Sequence, residues 1–115
     1  MDQPVTIAFL GDVNGVPGRN VLLQRIADLR SDHAPDLVIA NGENIRNGSG
    51  ITPDLFRWLL SHGVDAVTLG DHVFRDQKIL PQLEDPEAAI CRPANLSSLA
   101  SGKRMMKLPL PNGRN

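Results

Sequence analysis

The sequence predicts an α/β fold in which strands and helices alternate around a mainly parallel sheet. Three observations carry this. Short apolar runs, Val5 to Leu10, Leu37 to Ala40 and Ala66 to Leu69, have the length and β-branched content of strands. Segments with helical spacing separate them, as crossover connections between parallel strands require. Each run also leads into a glycine followed by an acid: Gly11-Asp12, Gly42-Glu43 and Gly70-Asp71.

The elements follow in order. After the first strand, the loop Asp12 to Gly18 leads into a helix carrying Leu22, Ile26 and Leu29 at helical spacing. Pro35 disfavours helical geometry at the residue before it, so this helix ends near His33. The second strand runs into Asn41-Gly42-Glu43-Asn44, and Gly48 and Gly50 make the next loop pliable. Thr52 is a good N-cap for a second helix, with Pro53 at its first position and Asp54 at the positive end of its dipole. Ile51 and Phe56 have staple spacing around that cap. Leu55, Phe56, Leu59 and Leu60 form the inward stripe, and Gly63 suits a left-handed C-terminal cap. His62, in the last turn, complements the dipole. A third helix spans Asp76 to Leu83 with Ile79, Leu80 and Leu83 inward, and Pro86 stops it. Ala88 to Cys91 reads as a strand, Arg92 to Lys103 as irregular, and Met105 to Leu108 as a last strand before the hairpin-type turn Asn112-Gly113.

At 115 residues the chain, residues 1–115, is one domain. Aromatic residues make up 3%, too few for a base-stacking platform, and the net charge of -1 gives no pull toward nucleic acid or anionic membrane. No stable nucleic-acid complex is expected. No apolar segment reads as a signal peptide or membrane span, so a cytoplasmic location is expected. Cys91 is the only cysteine, which excludes an internal disulfide, and it reads as a small buried hydrophobe. No acid follows Glu87, whereas Arg92, Lys103, Arg104, Lys107 and Arg114 do. A solvated surface is the plainer reading of that basic stretch and a phosphate-facing patch the sharper one.

The strand ends carry the chemistry. In open α/β sheets ligands sit at the carboxyl ends of the strands. Three strands deliver Asp12, Glu43, Asn44, Asp71 and His72 to that edge. Singly, each is a turn former or cap. Together, neighbouring carboxylates repel unless a cation or shared proton sits among them, and a metal centre follows. Divalent cations suit phosphate esters, and His72 is placed to protonate a leaving oxygen. The glycines Gly11, Gly15 and Gly18 do not have dinucleotide-fingerprint spacing, and no Lys-Ser/Thr pair makes a P-loop.

These residues also carry a family resemblance. Gly11-Asp12 with Gly15 and Pro17-Gly18, Asn41 to Asn44, Gly50 to Pro53, Thr68 to His72, and Arg92-Pro93-Ala94-Asn95 resemble the YmdB-like branch of the calcineurin-like metallophosphoesterases, in order over nearly the whole chain. The resemblance implies half of a metallophosphoesterase-type α/β sandwich. It implies a phosphodiesterase that uses two metal ions, iron or manganese, for hydroxide attack on phosphorus, with cyclic nucleotides such as 2',3'-cNMP as substrates. It further implies that Asp12, Glu43 and Asn44 bind metal with Glu43 bridging, that Asp71 binds the second metal, and that His72 is the proton donor. The family pattern has Asn where this chain has Asp71. The family also takes His ligands from its later half, whereas this chain has only His33, His62 and His72, so it corresponds to the amino-terminal half. A homo-oligomer stays open. The rival reading is a non-catalytic α/β module that binds a nucleotide or partner, in which the acidic turns only cap helices.

Overall fold

In the computed structural model, which describes residues 4–111, four strands lie side by side in sequence order, all parallel. They are β1 (Ile7–Leu10), β2 (Leu37–Asn41), β3 (Ala66–Thr68) and β4 (Ile90–Cys91). The connections hold α1 (Gly15–His33), α2 (Pro53–Ser61), and a 3-10 turn (Gln77–Ile79) that runs into α3 (Leu80–Glu84). Sequential parallel neighbours joined by right-handed crossovers place every helix on the same side of the sheet. Ladder register agrees with this. Ala8, Leu10, Val38, Ala40, Val67 and Ile90 share one face and pack into the core with Leu22, Phe56, Leu59 and Leu83. The opposite face carries Ile7, Phe9, Ile39, Ala66, Thr68 and Cys91, and on the outer strand Ile7 and Phe9 are exposed.

The second helix forms as its sequence dictates. The Leu55 N–H donates to the Thr52 hydroxyl at 3.2 Å, Pro53 occupies the first turn, and Ile51 and Phe56 are both buried. Gly63 follows at φ 101°, where any side chain is strained. His62 Nδ1 lies 2.7 Å from the Trp58 carbonyl, so the imidazole serves the last-turn carbonyls directly.

Four expectations need correction. The first helix begins at Gly15, not after Gly18, because the missing N–H of Pro17 costs nothing in an opening turn. Leu60 is exposed, not part of the inward stripe, since only Phe56 and Leu59 are fully turned to the sheet. Residues 105–108 form no strand: β4 pairs with β3 alone, and no further partner offers itself among the described residues. Cys91 is partly rather than fully buried, because it sits on the helix-free face. The turn expected at Asn112-Gly113 lies outside the described residues.

Candidate metal centre at the carboxyl edge

Backbone hydrogen bonds stitch the three strand-end loops together. The Val13 N–H donates to the Asn41 carbonyl at 3.1 Å and the Gly15 N–H to the Asn44 carbonyl at 3.2 Å. The Gly42 N–H reaches the Thr68 carbonyl at 2.9 Å. Asp12, directly before Val13, is held at φ 28°, a left-handed conformation that few residues other than glycine adopt. The loop after β2 closes on itself: Gly50 N–H donates to the Glu43 carbonyl at 2.7 Å and Gly48 N–H to the Asn44 carbonyl at 2.8 Å. It is therefore a fixed scaffold despite its glycines.

On this scaffold, Glu43, Asp71 and His72 each bring one ligand atom within 4.8 Å of the others. The Glu43 carboxylate is held from several sides. The His72 N–H donates to its Oε2 at 3.2 Å, and the Asn41 amide reaches its Oε1 at 3.5 Å. The Glu43 N–H in turn donates to Asn41 Oδ1 at 3.3 Å. Gly70 forms the remaining wall, because a Cβ there would land on the Glu43 carboxylate. His72 Nε2 lies 3.9 Å from Asp71 Oδ2, and the Asp71 carboxylate is exposed.

Asp12 does not belong to this trio but is linked to it. The Asn44 amide group donates to Asp12 Oδ1 at 2.7 Å, while Asn44 Oδ1 sits 2.5 Å from His72 Nδ1. An amide oxygen only accepts, so His72 carries a proton on Nδ1 and leaves Nε2 on the side of the Asp71 carboxylate. All five residues singled out in the sequence thus form one connected group. His33 and His62 lie on helix ends outside it. Two further participants were not singled out for a role: Asn41, which braces Glu43, and Gly70, which makes room for it. Their only signal was position, beside Glu43 and Asp71 in the same short motifs.

The donor chemistry fits a hard or borderline divalent cation. Two carboxylates and an imidazole converge, among the described residues no Lys or Arg pairs with either carboxylate, and a carboxylate already oriented by N–H groups has an oxygen lone pair to spare. A cavity of about 490 Å³ lies elsewhere. It is an apolar groove between β1 and α1, lined by Phe9, Val21, Leu22, Ile26 and Leu29, and only its Asp12 end meets the acidic edge.

The sequence model of the YmdB-like protein family matches residues 8–115. This chain belongs to the YmdB-like family. Among its relatives is the 2',3'-cyclic-nucleotide 2'-phosphodiesterase of Bacillus subtilis, 35% identical over 84% of this chain and 36% of that protein. A solved structure described as a novel phosphatase, from Mycoplasma pneumoniae, superposes with a TM-score of 0.76 at 32% identity. It covers 88% of this chain and 36% of that one. A hypothetical protein from Thermus thermophilus gives the same TM-score at 35% identity, covering 86% of this chain and 38% of its own. This YmdB-like chain spans about a third of the length of the curated relatives it matches. Among the described residues, no helix is long and apolar enough to cross a membrane.

Proposed function

We propose that this chain contributes the metal-holding edge of a phosphodiesterase acting on cyclic nucleotides such as 2',3'-cNMP. The observation that carries the proposal is the convergence of Glu43, Asp71 and His72 at one strand edge, within a family whose relatives are named as phosphodiesterase and phosphatase. Glu43 and Asp71 would supply carboxylate donors to one cation, Asp12 with Asn44 would contribute to a second, and His72 stands beside them as the proton donor. Iron or manganese suits this oxygen-rich set. When bound, such ions polarise phosphoryl oxygens and lower the pKa of water.

The chain's own residues do the rest. Asn41, Gly70 and the His72 N–H hold the Glu43 carboxylate in one orientation, which removes the cost of arranging it during reaction. Asn44 fixes the His72 ring through Nδ1, so in the imidazolium form Nε2 is the atom that would hand its proton to the leaving oxygen, with Nδ1–H kept on Asn44. Asp71 adds a negative charge where the family pattern has a neutral amide, which favours a more highly charged or tighter-held cation set. The complete gene product, assayed on 2',3'-cyclic AMP, is expected to hydrolyse it with added manganese and to lose activity in chelator. His72→Ala is expected to lower kcat by about 10²–10⁴-fold. Full activity in chelator, or an unchanged kcat for the variant, would contradict the proposal.

A further inference from the structure

A second cavity, about 430 Å³, lies away from the acidic edge, and Arg92, Ser98, Gly102, Lys103 and Arg104 are among its lining residues. Its size falls in the range of small-molecule sites, about 300–1,000 Å³. No acidic residue lines it, and none follows Glu87 in the sequence. Arg92 is the unusual member, a charged side chain only 4% exposed. Its Nε–H donates to the Gly102 carbonyl at 3.0 Å and its Nη1 to the Pro93 carbonyl at 2.8 Å. Its Nη2 meets no acceptor among the described residues, yet it is not one of the sealed, unpartnered polar atoms. No carboxylate pairs with the guanidinium among the described residues. A buried cation without a counter-charge is costly. Closing the 92–103 loop through two carbonyls explains two of its five donors and not the missing charge.

The neighbours share the deficit. Lys103 donates from Nζ to the carbonyls of Gln82 and Leu83, at 3.1 and 3.3 Å, and among the described residues no carboxylate lies within ion-pair distance of it. Desolvation pushes its ammonium pKa down, against the smaller upward pull of Asp85 and Cys91. Arg104 is exposed at the rim. Three cations around one opening match a dianion, and a guanidinium fork matches phosphoryl oxygens.

We propose that this cavity binds a phosphoryl anion, either free phosphate or a phosphomonoester, between Arg92, Lys103 and Arg104, separately from the metal centre. The test is titration of the 115-residue chain with inorganic phosphate in chelator, following backbone amide resonances. Saturable shifts are expected at Gly102, Lys103 and Arg104. Arg104→Gln, at an exposed position, is expected to weaken binding about tenfold. Arg92→Lys keeps the charge but removes the fork, and should weaken it at least as much. Glu43→Gln should leave binding intact. A parallel titration with phenyl phosphate identifies the form: tighter binding of the ester assigns the cavity to an esterified phosphate, and tighter binding of the ion to free phosphate. No saturable shifts, shifts confined to Asp71 and His72, or an affinity unchanged by Arg104→Gln each overturn the proposal.

Discussion

At the scale of single residues, the candidate metal centre depends on groups that hold rather than ligate. Gly70 is the sharpest case, since any Cβ there takes the place of the Glu43 carboxylate. Gly70→Ala is expected to leave the fold intact and to weaken manganese binding by roughly tenfold or more, as other supports of ligands do. Calorimetry checks the binding and far-UV circular dichroism the fold. Asp71→Asn removes a charge from the trio. It should weaken manganese binding by roughly tenfold, again read by calorimetry; equal affinity would remove Asp71 from the ligand set. Cys91 illustrates the opposite, a residue with ordinary chemistry suppressed. Desolvation raises its thiol pKa, partly offset by Lys103. A raised folded-state pKa adds stability that is fully present below the unfolded thiol value and is lost as pH rises through the folded one. Alkylation by iodoacetamide should therefore rise with pH along a profile displaced above that of a free cysteine peptide. The acids and His72 were legible in the sequence because each follows a strand and a glycine. The bracing of Glu43 by Asn41 is a local contact that only the turn geometry sets, and the role of Gly70 was not legible because it depends on β2 and β3 being neighbours. Arg92 was hidden for the same reason: in the sequence it opens a basic stretch, and only the folded loop buries it.

At the scale of elements, α2 was the most legible, because its signals are local. Cap, proline, staple and terminal glycine all act within a few residues of one another. Thr52→Ala should cost about 1 kcal/mol, read as a lower urea midpoint at constant slope. The first helix was harder to bound. It exposes Val16, Val21 and Leu23 while burying Leu22, so its apolar residues point both ways and its start is not marked by a hydrophobic stripe. The strand expected at Met105 to Leu108 failed because a strand is defined by its partner, and alternating Met106, Leu108 and Leu110 have none among the described residues.

At the scale of the whole molecule, the sequential order of the strands decides the architecture. It gathers all helices on one face and leaves Ile7 and Phe9 exposed on the other. It also brings the three strand-end loops side by side, which is why a repeated strand-glycine-acid pattern becomes a single group of donors. The fold class was readable from alternation alone, whereas the exposed face and the apolar groove beside α1 follow from topology. The central claim is that the acidic edge holds a divalent cation through Glu43 and Asp71, beside His72. The most direct measurement is a manganese titration of the 115-residue chain followed by electron paramagnetic resonance, in which the free-ion signal disappears on binding. Depletion of the free signal by the unmodified chain, and its persistence under the same conditions with Glu43→Gln, is the predicted result. Equal depletion by both proteins, or none by the unmodified chain, would contradict it.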